Sequence, residues 1–473
     1  MSLSRKAKII IGCCLVAIAV TVGGGSYLIY SAYSFLSQVR ESVETEIPVE
    51  LQEAKVFKGA EFLAKEEFFK QKHFTRAEII SESAAIADEK ERYKFVSSQS
   101  AKNYSGYSDI KICGGEIVAV GTFGGQIFDV GGKLKSGFFF EPFVRQIKFL
   151  WWKQNNFLTT LNNLQIVDLD GDGKCEFFSR GSSDGFVVFD NRGNVVWRYG
   201  ADYSATEDLF SRKKEADWEK KIYVLAAAID DADGDGQVEY VVGRKNDGIH
   251  IFDKNGNEKS FQPDDYAGGK YVFTDVDDDG KTDFLEIIGN GTEIRDATGK
   301  SIKGYKLEPF YDEPLWSEDK NEKKVLQLFG IYKSKLVVTG FNRQTIIEAD
   351  APLSEVKIKP VEYNFPSSTP IPGNDGTTAR PIESSNTKDR EAIYEPRAVW
   401  VRLHKDKPKY LAIIGSFISF PRSNFYVYDE KGTLLYHELL PEEAETIAVV
   451  PAANSAERIL IGGKDTIWKF TAK

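Results

Sequence analysis

The stretch DLDGDGKCE, residues 168–176, sets Asp168, Asp170 and Asp172 at alternate positions, follows them with a glycine and ends on Glu176. Carboxylates so spaced could do acid–base work or bind a hard cation, and an acidic turn is the plainest alternative. The pattern returns as DADGDGQVE, with Asp231, Asp233, Asp235 and Glu239, and as DVDDDGKTD, with Asp275, Asp277, Asp279 and Asp283. Repetition favours the cation. Ca²⁺ takes about six to eight oxygens, and a tight loop can turn positions 1, 3 and 5 toward one point. Glycine at position 6 permits a left-handed turn. The carbonyl at position 7 (Lys174, Gln237 or Lys281) and the carboxylate at position 9 would then close the shell, giving an expectation of three Ca²⁺ sites. An EF-hand would need an acid at position 12. Glu286 supplies it once, but Ser179 and Val242 stand there in the other loops, and the flanks KYVFT and DFLEIIG read as strands.

The elements that must position these loops repeat along the chain. Segments beginning at Glu116, Glu176, Glu239, Asp283, Lys335, Tyr410 and Arg458 each read strand, glycine turn, strand ending near an acid, turn, strand. Equivalent glycines are Gly121, Gly181, Gly243, Gly289, Gly340, Gly415 and Gly463. Units of this size with three or four short strands fit propeller blades, whose radial arrangement protects sheet edges. The expectation is an all-β, seven-bladed β-propeller over 105–473, with six or eight blades as the neighbouring counts. Longer spacings mark insertions near 136–165, 201–221 and 360–396, the last rich in Pro, Ser and Thr.

The loops and the strands after them resemble the FG-GAP or VCBS-type repeats of integrin-α-like propellers. The resemblance spans about 105–473 and is specific at 168–190, 231–253 and 275–296. It implies that the loop joins the first two strands of a blade and holds Ca²⁺ through positions 1, 3, 5, 7 and 9. No FG…GAP pair is present, and the other units lack the loop, so ligand binding by that family is not implied.

The N-terminus is of another kind. Residues 1–8 are basic, and 9–30 contain no charged residue, long enough at about 1.5 Å per residue to cross a bilayer. The lysine and arginine bias puts residues 1–8 in the cytoplasm and the bulk outside. A cleaved signal peptide is the rival, but the apolar run continues past its small-residue site. Residues 31–104 are charged and low in glycine, read as a helical stalk, with TRAE (Thr75–Glu78) as a capping box.

A formal charge of −10 argues against nucleic acid as a partner. Cys113 and Cys175 could pair or stay as buried thiols, and four scattered histidines give no zinc pattern. GSSDG at 181–185 lacks the strand-to-helix setting of a nucleophile elbow. Phe138, Phe139, Phe140, Phe143, Phe149, Trp151, Trp152 and Phe157 crowd one insertion, an interaction surface or the filling between blades. The expected protein is a non-enzymatic, Ca²⁺-stabilised propeller anchored to the cell membrane, periplasmic or extracellular. It would bind a protein partner or a cell-surface ligand as an adhesion module. A scaffold subunit of an envelope complex and a lyase-like polysaccharide enzyme are the alternatives.

Overall fold

The middle strands of the repeats are unbroken apolar runs: Ile117–Val120, Phe186–Phe189, Tyr240–Val242 and Leu411–Ile414 are buried residue after residue. A strand covered on one face would alternate, so these strands need cover on both. The computed structural model shows what covers them. It describes residues 61–96, 106–200, 207–208, 224–295, 313–352 and 393–473. Short stretches at 89–90, 93, 141–142, 150–151, 159–160, 182–184, 245–246, 264–269, 276–281, 289–290, 319–323, 333–334, 341–343, 418–421 and 453–455 lie outside the description.

The described chain opens with β1 (Leu63–Lys70) and α1 (Arg76–Ala84). Sheet I is β2 (Tyr107–Cys113), β3 (Glu116–Gly121), β4 (Gly124–Asp129) and β5 (Leu134–Phe139). A hairpin, β6 (Phe143–Phe149) and β7 (Trp152–Leu158), follows. Sheet II is β8 (Leu161–Val167), β9 (Glu176–Gly181), β10 (Gly185–Phe189) and β11 (Val195–Gly200). The short β12 (Glu207–Asp208) returns to pair in parallel with β6. Sheet III is β13 (Val224–Asp230), β14 (Glu239–Arg244), β15 (Gly248–Phe252) and β16 (Glu258–Pro263). Sheet IV has β17 (Lys270–Thr274), β18 (Asp283–Ile288) and β19 (Gly291–Arg295). Sheet V is β20 (Glu313–Glu318), β21 (Lys324–Tyr332), β22 (Lys335–Gly340) and β23 (Thr345–Asp350). Sheet VI is β24 (Ile393–Val401), β25 (Tyr410–Phe417), β26 (Ser423–Tyr428) and β27 (Leu434–Leu439). Sheet VII contains β28 (Ala444–Val450), β29 (Arg458–Gly463), β30 (Thr466–Ala472) and, outermost, β1.

Among the described residues, six junctions between neighbouring sheets are filled by shared apolar clusters. On β3, Val118 and Val120 join Phe177 and Phe189 of sheet II, while Ile117 and Ala119 join Leu460 and Ile467 of sheet VII. On β10, Val187 faces sheet I and Phe186 and Val188 face sheet III. Sheet III shares a cluster with IV, V with VI, and VI with VII. Among the described residues the apolar clusters therefore join the sheets in the order IV, III, II, I, VII, VI, V, as neighbouring blades of a β-propeller are joined. Residues 296–312, between sheets IV and V, lie outside the description.

The repeat beginning at Lys335 is one strand out of phase with the expectation. Gly340 ends the third strand of sheet V, whose second strand is β21. The larger correction concerns 31–104, read as a helical stalk. Within it, β1 pairs antiparallel with β30 from Leu63↔Ala472 to Lys70↔Thr466. Leu63 is buried beside Trp468 and Phe470, and Phe68 and Phe69 meet Phe128 edge-on. The run AKEEFFK favours helix locally, but the open edge of β30 and apolar cover on both sides outweigh propensity. α1 does form where TRAE predicts it: the Thr75 backbone N–H donates to Glu78 Oε2, and the Glu78 N–H to Thr75 Oγ1. Residues 9–30 lie outside the description, and among the described residues no helix is long and apolar enough to cross a membrane.

A second repeated device tightens the turn before the outermost strand. Asp190 Oδ1 accepts the backbone N–H groups of Arg192 and Asn194, and Asp253 Oδ1 those of Asn255 and Asn257. Asp429 does the same for Lys431 and Thr433. The turn glycine then lies against the preceding sheet: a Cβ on Gly256 (φ +82°) would come within 2.3 Å of Trp197 Nε1.

Leu63→Ala should cost about 2–5 kcal/mol in urea unfolding, since it empties a buried site at the closing strand. Ile80→Ala, at a position 63% exposed on α1, should change it by no more than about 0.5 kcal/mol. A hydrogen bond from the Asn257 side chain is the main cause holding the Asp253 carboxyl below the usual range. Its contribution to stability is therefore present above the pKa of the unfolded chain and lost as pH falls through the depressed value. In acid titrations monitored by fluorescence, Asp253→Asn should flatten that loss.

Candidate functional site

The first acidic loop joins β8 to β9, the first two strands of sheet II. The second joins β13 to β14 in sheet III. Both fold by the same local bonds. The N–H groups of Gly171 and Gly173 donate to the two carboxylate oxygens of Asp168, at 2.8 and 3.0 Å. Those of Gly234 and Gly236 donate to Asp231 at 2.7 and 2.9 Å. The position-9 acid reaches back over the loop: Glu176 Oε2 accepts from the Leu169 N–H and Glu239 Oε2 from the Ala232 N–H, each at 3.0 Å. Gly173 and Gly236 take φ of +81° and +85°, a conformation that glycine adopts without penalty.

These bonds gather Asp168, Asp170 and Glu176 into one group, and Asp231, Asp233 and Glu239 into another, with ligand atoms within 4.8 Å of one another. Two aspartates and a glutamate offer hard oxygen donors, the donor set that suits Ca²⁺. Position 5 does not converge with them as the spacing predicts. Asp172 instead takes the backbone N–H of Lys174 at 2.6 Å and its ammonium at 2.7 Å. Asp235 takes the N–H of Gln237 at 2.8 Å. In the third loop Asp275 and Asp283 flank a stretch, with Asp277, Asp279 and Lys281, that lies outside the described residues.

The electrostatics are those of crowded acid. Burial is the main cause raising the Glu176 pKa, with Asp170, Asp172 and Asp168 adding to it. Burial also raises that of Glu239, opposed by the Lys259 side chain. A cation between the carboxylates would relieve both effects.

Of the two readings left open for Cys113 and Cys175, the structure shows the pair. Cys175, at position 8, forms a disulfide with Cys113 at the end of β2, with Cα atoms 5.8 Å apart. The loop is thereby tied to the neighbouring sheet, where Gly114 lies so close that a Cβ there would come within 2.6 Å of the Gly173 carbonyl oxygen. A cavity of about 270 Å³ opens beside the bridge, lined by Glu116, Asp172, Lys174, Phe177 and Asn191 among others.

The aromatic insertion divides. Phe138 stacks on Phe177 at 4.8 Å, and Phe140, 5% exposed, packs on Phe177 and Phe189. These two fill the junction between sheets I and II, which corrects their reading as partner contacts: the pleat of β5 and the residue after it turns them inward. Phe139 meets Phe95 edge-on. Phe143 lies on β6 and Trp152 on β7, while Trp151 lies outside the description.

No family model matches the chain, and no curated protein matches it. Among solved structures it is similar to BBS1N in complex with ARL6DN in a crystal soaked with lead, with TM-score 0.44 and 9% identity over 78% of this chain and 93% of that one. A mercury-soaked crystal of the same complex gives 0.43 and 8% over 78% and 92%. The Dos1 propeller gives 0.37 and 9% over 78% and 79%. The propeller arrangement of this chain rests on its own sheets and junction clusters.

Replacing Cys113 and Cys175 together by serine should lower stability by about 2–4 kcal/mol under non-reducing conditions, because the bridge closes 62 residues of chain. Calorimetry with and without reductant checks this: reductant should lower the midpoint of the wild-type chain and leave that of the double variant unchanged.

Proposed function

We propose that the chain is a seven-bladed, Ca²⁺-stabilised β-propeller that serves as a non-catalytic binding module of the cell envelope. Residues 9–30 would anchor it in the membrane with residues 1–8 in the cytoplasm. The observation that carries the reading is repetition. The same acidic loop, with the same backbone bonds and the same position-9 acid, sits in the same place of two successive sheets. A reaction centre is singular, whereas a device repeated from blade to blade supports the frame. On this reading the carboxylates of 168–176 and 275–283 hold Ca²⁺ and stiffen the rim, as the likeness to FG-GAP and VCBS-type repeats implies. Binding to a protein partner or cell-surface ligand falls to the loops and insertions that break the repeat.

Ca²⁺ binding to the folded chain alone must raise its thermal midpoint, by about 2.7 kcal/mol in stability at a hundredfold excess over Kd. The expected result is a rise at millimolar Ca²⁺ in the full chain that chelator reverses and Asp168→Asn with Asp170→Asn diminishes. No rise in the wild-type chain would reject the metal. Because burial raises the Glu176 pKa, the bound proton competes with the ion, and Ca²⁺ affinity should fall on acidification before pH reaches the ordinary carboxylate range.

Membrane fractionation tests the anchor: the full chain should pellet with membranes, and a chain starting at residue 31 should not. Affinity purification from detergent-solubilised native membranes tests the binding role. A stoichiometric envelope partner is the expected result, and a chain that purifies alone, and binds no surface glycan, would refute the role.

A further inference from the structure

The outermost strands of five sheets carry a bulge at one place. The residue skipped in pairing is Lys135 in sheet I, Val196 in II, Lys259 in III, Ile346 in V and Leu435 in VI. Two strands away, the second strand of sheets I, II and III begins with Glu116, Glu176 and Glu239. Where the bulge residue is lysine, it crosses the sheet to that acid. Lys135 pairs with Glu116, and Lys259 Nζ lies 2.9 Å from Glu239 Oε1.

Sheet I shows the pair by itself, because β2 and β3 are joined by Gly114 and Gly115 alone and no acidic loop is present. In sheet III the same lysine reaches further. Its ammonium lies 2.6 Å from Asp233 Oδ2 and 3.5 Å from Asp235 Oδ2. It thus touches Asp233 and Glu239, two of the three carboxylates gathered in that loop, and the Glu239 side chain is only 2% exposed. Among the described residues, sheet II has no such visitor. Val196 is 58% exposed and uncharged, and Lys174 engages Asp172, the carboxylate outside the group.

An ammonium with three N–H donors and a divalent ion seek the same oxygens. Two cations about 3–4 Å apart repel, so one excludes the other. We propose that Lys259 is the resident cation of loop 231–239, which therefore folds without a divalent ion, while Val196 leaves loop 168–176 open to Ca²⁺. The contrast between the loops rests on the Ca²⁺ reading above; the role of Lys259 stands apart from it.

Ca²⁺ titration calorimetry on the full chain, with thermal unfolding in parallel, separates the two. Asp231→Asn with Asp233→Asn should leave the number of bound Ca²⁺ unchanged. Lys259→Met should bind one more Ca²⁺ per chain, and adding Asp231→Asn and Asp233→Asn should remove it. Its midpoint should fall in chelator and recover in millimolar Ca²⁺, which shows that the variant folds. Val196→Lys should weaken binding at 168–176 at least tenfold. Loss of an ion in the Asp231→Asn, Asp233→Asn chain, or no extra ion in Lys259→Met, overturns the role of Lys259. A wild-type chain that binds no Ca²⁺, beside a Lys259→Met chain that binds one, upholds that role and rejects the Ca²⁺ reading of loop 168–176.

Discussion

The fold depends on one constraint: strands that are apolar on both faces must be covered on both. β3, β10, β14, β25 and β29 each divide their side chains between two neighbouring sheets. A linear stack would leave one face bare at either end. A cyclic order would remove the ends, and the junction of sheets VII and I serves it by joining the last sheet to the first, with an N-terminal strand added to the last. β1 comes from the N-terminal side and seals the edge of β30, and the Lys473 N–H donates to the Phe62 carbonyl just beyond it. Closure by a distant strand makes cooperative what would otherwise be a series of hairpins, since losing β1 exposes an edge and two core clusters together.

Within that frame a recurring set of acidic side chains serves the backbone. The turn aspartates Asp190, Asp253 and Asp429 and the loop acids Asp168, Asp231, Glu176 and Glu239 accept N–H groups that the β-ladder leaves unpaired. A donor left unmet costs free energy, and a side chain two to seven residues away meets it with little loss of entropy. Part of the chain's negative charge is thus structural. The acidic loops keep their shape through these carboxylate–backbone bonds.

Local patterns in the sequence carried the loops, the capping box and the strand runs, because each is fixed by residues within a few positions of one another. Gly173 and Gly236 take left-handed turns that the spacing of D-x-D-x-D-G announces. What the sequence hid is what distance decides. AKEEFFK has helical composition and becomes β1 because an edge some 400 residues later needs it. Cys113 and Cys175 stand 62 residues apart and meet because sheet I packs on sheet II. Phe138 and Phe140 look like a surface patch in a list of aromatics and are core once β5 has a neighbour. The convergence of positions 1, 3 and 9 without position 5 was hidden too, since Asp172 and Asp235 turn to their own following N–H groups.

Repetition also marks where variation has meaning. The bulge on the outermost strand is constant in geometry from sheet to sheet, so its backbone belongs to the frame, yet its side chain runs from lysine to valine, isoleucine and leucine. In sheet VI Leu435 packs on the core, and in sheets II and V Val196 and Ile346 face solvent at 58% and 41% exposure. A position free of structural duty on a fixed scaffold can be spent on charge or on contact. The β6–β7 hairpin follows the same logic on a larger scale. It belongs to none of the blade sheets, pairs through β6 with the two residues of β12, and leaves β7 bonded on one side alone among the described residues. An edge of that kind is normally covered or blunted. Its place outside the repeat sets it apart from the acidic loops, which recur at the same place in sheets II and III.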